Sequence, residues 1–163
     1  MMKKFLRIFI NLLIFGVVFL GCKEEFKAEI GSIAPEISAT NLNGEKVKIQ
    51  NDKISIIVFW QYGCLGCTQI LPNLDEFLKE NPGIFRVYAI NSLNDEKIIK
   101  DYLNEMSFSS ILVLKDDLKI SLDRYGVTTL PSIFIVDKNG ILKDKIYGDI
   151  GWKYLKAKLS YFL

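Results

Sequence analysis

Apolar and polar positions along this chain switch between a two-residue and a helical rhythm, and the switches mark out its elements. Residues 54–60 are almost continuously apolar, Ile-Ser-Ile-Ile-Val-Phe-Trp, as expected for a central parallel strand covered on both faces. Directly behind the following turn, Ile70, Leu71, Leu74, Phe77 and Leu78 recur at helical spacing as far as Glu80, where Asn81-Pro82-Gly83 stops the pattern. Pro72 falls inside this helix and predicts a kink, because it lacks an N–H and its ring crowds the preceding turn. A strand over residues 84–90 comes next, then an amphipathic helix with Ile98, Ile99, Tyr102, Leu103 and Met106 on one face. Residues 111–114 predict a short strand and residues 118–125 a short helix. Two more strands, 132–136 and 141–147, are joined by Asp137-Lys138-Asn139-Gly140, whose Asn-Gly favours a tight hairpin turn. The last helix carries Trp152, Leu155, Leu159 and Phe162 on one side. Strand-helix-strand units closed by a hairpin and a helix make a mixed sheet sandwiched by helices.

The N-terminus follows a different pattern. Lys3, Lys4 and Arg7 precede an apolar stretch over residues 8–20 that ends in Gly21-Cys22, the order of an export signal. The stretch is short for a spanning helix, which needs about 20 residues. Phe19-Leu20-Gly21-Cys22 resembles the lipobox of bacterial lipoproteins, with Phe19 where a leucine is usual. The preferred reading makes residues 1–21 a signal peptide, Cys22 a lipid-bearing N-terminus and residues 22–30 a polar tether. An uncleaved anchor helix and a secreted protein with a stray Cys22 stay open beside it.

Cys64-Leu65-Gly66-Cys67 sits between the first strand and the first helix. Two cysteines at this spacing can close a disulfide within one helical turn. A cysteine at a helix N-terminus also meets free N–H groups and the positive end of the dipole, which favour thiolate. A purely structural bridge is the plainer alternative, but so short a loop removes little unfolded-state entropy, and a redox centre is preferred.

Composition narrows the field further. Half of the 163 residues are apolar, and the part beyond the leader is enough for one domain with its own core. Three cysteines and no histidine exclude the common four-ligand zinc patterns. With Lys3, Lys4 and Arg7 set aside, 18 of the 21 Lys and Arg remain against 19 Asp and Glu, a balance that gives no case for nucleic acid.

The Cys-x-x-Cys, Pro72 five residues after its second cysteine, and Leu130-Pro131 opening the next-to-last strand resemble the landmarks of the thioredoxin fold. That fold is an α/β, three-layer α/β/α sandwich around a mixed sheet. More narrowly, the chain resembles the exported TlpA/ResA-like thiol-disulfide oxidoreductases. The matching segments are Gly31-Ser32-Ile33-Ala34-Pro35-Glu36, Phe59-Trp60, and Tyr125-Gly126-Val127-Thr128-Thr129-Leu130-Pro131-Ser132 with Asp137-Lys138-Asn139-Gly140 behind it. Residues 91–117 match the helix-strand element that this group inserts, and the likeness runs from about Gly31 to the C-terminus as one thioredoxin-like domain, residues 31–163. It implies Cys64 as exposed attacking thiolate, Cys67 as resolving cysteine and Pro131 as a cis-proline beside them. The backbone of Leu130 would then pair with an extended substrate segment, a small case of strand addition. Trp60 and Tyr62 are the aromatic candidates for the wall around the dithiol, with Trp60 also readable as core. No cofactor and no metal are implied.

Three departures from the family pattern stand out. Gly63 occupies the place of the aromatic that usually precedes the first cysteine, and Leu65-Gly66 puts a glycine about 1 kcal/mol worse than alanine into the first helical turn. Thioredoxins carry a buried aspartate where this chain has Val58, and some relatives a glutamate where it has Ile70. Deprotonation of Cys67 is therefore left to water or to a group that the sequence does not place. The leading expectation is a membrane-tethered oxidoreductase outside the cytoplasm, acting on disulfides or dithiols of exported proteins and supplied by a membrane-bound thiol donor. A lipoprotein using the domain as a binding scaffold is the alternative. A peroxiredoxin-like peroxidase fits less well, since the Pro-x-x-x-Thr-x-x-Cys pocket is absent around Cys64.

Overall fold

The computed structural model describes residues 27–163, so the expected signal peptide, Cys22 and most of the expected tether lie outside the described residues. In chain order the elements are β1 (Ala39–Asn41), β2 (Lys46–Val47), β3 (Ile54–Phe59), α1 (Leu65–Glu80), β4 (Phe85–Asn91), α2 (Glu96–Met106), β5 (Ile111–Lys115), α3 (Ile120–Arg124), β6 (Ser132–Val136), β7 (Leu142–Tyr147) and α4 (Trp152–Ser160). The strands form one mixed sheet in the order β2-β1-β5-β4-β3-β6-β7. β3, β4 and β5 run parallel to one another, while β1 and β2 on one side and β6 and β7 on the other are joined by antiparallel pairing.

Alternation along the central strands divides the core in two, because successive side chains point to opposite faces. Ile56 and Val58 of β3, Val87 and Ala89 of β4, and Ile133 and Ile135 of β6 face one cluster. α1 covers that cluster with Ile70, Leu71, Leu74 and Phe77, α4 with Leu155 and Leu159, and α2 with Ile99 and Tyr102. Ile57, Phe59, Tyr88, Ile90, Phe134 and Val136 face the other, under Tyr125, Ile37 and Ala28. Each such side chain contributes about 1.5–3 kcal/mol of burial. The sandwich is three-layered as expected, with a second outer layer made of the short α3 and the N-terminal segment.

That segment is tied into the domain. Ala28 is buried, its N–H donates to Arg124 O and its carbonyl accepts from Lys145 Nζ. Tyr125 Oη donates to Pro35 O, Arg124 donates to Glu36 O, and Ile33 bridges to Ile141. Among the described residues, packing thus reaches back to Ala28. One expectation changes. On α2 only Ile99 and Tyr102 are buried, while Ile98 and Met106 remain partly exposed. The turn after β6 is the tight one expected over residues 137–140: Gly140 N–H donates to Asp137 O, Asp137 N–H donates to Ile141 O, and the Asp137 carboxylate accepts from the N–H groups of Asn139 and Ile141.

The inserted α2–β5 connection is pinned to α1 by a buried carboxylate. Asp75 accepts from the backbone N–H groups of Ser109 and Ser110 (3.1 and 2.7 Å) and pairs with Lys79 Nζ at 2.8 Å. Burial alone would raise its pKa, but the Lys79 and backbone donors prevail and hold it below the ordinary carboxylate range. A folded-state pKa below the unfolded value stabilises the protein above the unfolded pKa and loses that contribution as pH falls through the folded one. Asp75→Asn is therefore expected to destabilise the protein by about 1–2 kcal/mol at neutral pH. The gap from the parent protein should close as pH falls below the ordinary carboxylate range and through the lowered folded-state pKa. Urea midpoints against pH test this, and a gap independent of pH would show that the carboxylate charge is not what matters.

Candidate active site

The apolar β3 delivers the chain to a turn at the sheet's C-terminal edge, where Cys64 becomes the N-cap of α1 with extended backbone (φ −92°, ψ 110°). Its Sγ accepts the N–H of Cys67 at 3.3 Å. The two cysteines are joined as a disulfide with Cα atoms 5.3 Å apart. Cys67 is completely buried in the α1-side core, whereas Cys64 is half-buried. One cysteine is thus partly open to solvent and the other is shielded.

Pro72 sits within a continuous α1 and deprives Thr68 O of its helical donor. Tyr102 Oη reaches across from α2 to donate to that carbonyl at 3.3 Å. The inserted helix is thereby fastened to the first turns behind the dithiol. Burial, with the Glu105 charge adding to it, pushes the Tyr102 phenol up. Its ring also lies between Trp60 (5.3 Å) and Tyr62 (5.7 Å).

Those two aromatics part company. Trp60 is only 1% exposed and packs in the core, so the expectation that it touches substrate is corrected: it backs the site from beneath. Tyr62 is 49% exposed and stands at the surface, its N–H held by Asn94 Oδ1 at 2.7 Å. Asn94 comes from the loop after β4, which Asn91 organises by accepting from the N–H groups of Leu93 and Asn94. Leu65 (73% exposed) and Leu93 (47%) complete an apolar rim.

The Leu130-Pro131 peptide is cis. Pro131 is buried and its carbonyl accepts from Gly148 N–H at 2.8 Å, while half-buried Leu130 packs against the same core cluster as Cys64. Leu130 makes no backbone hydrogen bond among the described residues.

Val58 and Ile70 are both buried in apolar surroundings, so neither place where relatives keep an acid holds one. The sequence did not disclose the carboxylate that is near. A Cβ built on Gly66 would lie 2.8 Å from Asp149 Cβ and 3.0 Å from Asp149 Oδ2, so any larger residue at position 66 must displace the Asp149 side chain. Gly66, expected as a mere weakness in the helix, is the close-approach point for a side chain 83 positions later.

The family model described as AhpC/TSA matches residues 30–145. The chain belongs to the AhpC/TSA family. This AhpC/TSA member is similar to the thiol-disulfide oxidoreductase ResA of Bacillus thuringiensis (strain Al Hakam), 27% identical over 164 residues that cover 94% of this chain and 93% of that protein. The thioredoxin-like protein YneN of Bacillus subtilis (strain 168) is 29% identical over 145 residues, covering 85% and 83%. Among solved structures, the pneumococcal exposed lipoprotein thioredoxin Etrx1 of Streptococcus pneumoniae superposes with a TM-score of 0.67 at 22% identity, covering 78% of this chain and 99% of its own. The AhpC/TSA member described here therefore has a thioredoxin-like fold.

Proposed function

We propose that this protein is a thiol-disulfide oxidoreductase working outside the cytoplasm, held at a bacterial membrane through Cys22, and exchanging disulfides of exported proteins through Cys64 and Cys67. The observation that carries the reading is the pairing of a reachable cysteine at a helix N-cap with a buried one bridged to it. The similarity to ResA supports it, and the likeness in fold to an exposed lipoprotein thioredoxin is consistent with the location.

In the reducing direction, the Cys64 thiolate attacks one sulfur of a substrate disulfide. A Cys64–substrate S–S bond forms and the second substrate sulfur leaves as thiolate and is protonated. Cys67 loses its proton and attacks Cys64 Sγ, closing the protein disulfide and releasing the first substrate sulfur. Two electrons and two protons pass to the substrate, and a protein dithiol donor must restore the pair. The unpaired backbone of Leu130 offers an N–H and a carbonyl to an extended substrate strand. Tyr62, Leu65 and Leu93 supply apolar contact around it.

One fractionation tests both halves of this reading. Full-length protein should enter the detergent phase together with its disulfide-reducing activity, and Cys22→Ala should send both into the aqueous phase, since dual acylation anchors stably. Unchanged partitioning would reject lipid attachment at Cys22. Protein without turnover in either phase would reject exchange and favour a binding scaffold.

A further inference from the structure

We propose that Asp149 is an electrostatic brake on thiolate formation at Cys64, and that it thereby favours the reducing over the oxidising direction for the pair. This rests on the thiol-disulfide exchange reading. The contact at Gly66 places the Asp149 side chain against the dipeptide between the two cysteines. Its place there is fixed. Asp149 Oδ1 accepts from Gly151 N–H at 2.8 Å, and the preceding Gly148 N–H is bonded to Pro131 O, so the loop is tied at both ends. Oδ2 is left as the oxygen nearest Gly66.

The first turn of α1 has no acidic residue of its own. Without Asp149, its free N–H groups, the dipole and the Cys67 N–H that points at Cys64 Sγ would all stabilise a thiolate. A carboxylate laid across that turn opposes them. Strong thiolate stabilisation is what makes a dithiol pair of this kind oxidising, because it holds the reduced form down. Restraining the thiolate weakens that hold, so the dithiol passes its two electrons and two protons more readily to a substrate disulfide, and a protein dithiol donor restores it. In the reduced pair Cys67, bonded through its N–H to Cys64 Sγ, titrates beside it, and Tyr62, at the surface, and Tyr102, bonded to Thr68 O, stand on the other side of the turn.

The test uses the reduced full-length protein, with Cys64 alkylation by iodoacetamide followed against pH and read on the Cys64 peptide by mass spectrometry. Asp149→Asn keeps an oxygen for Gly151 N–H and removes the charge. It should lower the Cys64 pKa by about 0.5–1 unit, a modest shift because Asp149 is exposed. Added salt should shrink the difference. In glutathione buffers the variant's equilibrium should move about 3–10-fold toward the dithiol once pH exceeds the thiol pKa, and not below it. Gly66→Ala is the independent variant: its methyl must push Asp149 aside, so it should shift the pKa in the same direction, and the two changes should not add. A full Gly66→Ala shift in the Asp149→Asn background would trace the effect to the helix and overturn the proposal. So would an unmoved Cys64 profile in Asp149→Asn while the parent protein still cycles in glutathione. Failure of the parent protein itself to cycle would instead overturn the exchange reading.

Discussion

Cys64→Ser is expected to abolish disulfide exchange, with turnover falling about 10³-fold or more to the background of small thiols, whereas Cys67→Ser should stall halfway and accumulate mixed disulfides. The difference follows from burial. Cys64 is half-exposed at the N-cap, with a backbone N–H aimed at its sulfur, so attack survives when the second cysteine is lost. Cys67 is fully enclosed and can meet only a sulfur already attached at Cys64. Quenching cells with N-ethylmaleimide and separating adducts on non-reducing gels should therefore show adducts in Cys67→Ser and none in Cys64→Ser. Adducts formed through Cys67 in the Cys64→Ser protein would reverse the two roles.

The largest effect on stability away from the dithiol is expected from Asp116→Ala, about 3–4 kcal/mol, a sizeable share of the 5–15 kcal/mol typical of a domain. Asp116 is buried at the end of β5 and accepts from Ile120 N–H, Leu122 N–H and Ser92 Oγ at 3.0, 3.1 and 3.2 Å. Removing the carboxylate strands two backbone donors at the start of α3 and frees the loop whose Asn94 holds Tyr62. Asp116→Asn retains one acceptor and should cost about half as much. Urea unfolding measures both, and a loss under 1 kcal/mol for the alanine variant would mean that solvent replaces the carboxylate.

Most of the sandwich could be read from the sequence because its central strands are covered on two faces and therefore largely apolar. β3, β4 and β6 carry the signal in every residue that faces a cluster. The β1–β2 hairpin was missed for the opposite reason. Ala-Thr-Asn and Lys-Val are too short and too polar to show a period, and they become strands by pairing with one another and with the edge of β5. The dithiol was legible because its chemistry is local in sequence, and the cis-proline through the resemblance that the Leu130-Pro131 landmark carries. Asp149 was not, since nothing around an exposed aspartate in a Gly-Asp-Ile-Gly loop marks it. The only trace was at the other partner, an otherwise unexplained glycine in a first helical turn. Trp60 misled in part because its place at the strand end is next to the site, whereas strand alternation turns its side chain inward beside Val58. The buried acids left no pattern either: the backbone donors to Asp75 lie far along the chain, and those to Asp116, though close in sequence, are main-chain N–H groups that no residue type announces.

The N-cap bond from Cys67 N–H to Cys64 Sγ makes the redox state of the pair part of the protein's folding equilibrium. The sulfur that exchanges electrons is the same atom that terminates α1, so oxidation and reduction each alter the cap on the helix that covers half the core. By closure of the thermodynamic cycle, any free energy by which the fold favours the disulfide over the dithiol is returned as extra resistance to unfolding in the oxidised form. A protein whose pair readily gives up electrons is therefore sturdiest after it has acted, and more easily opened while charged and waiting for a substrate.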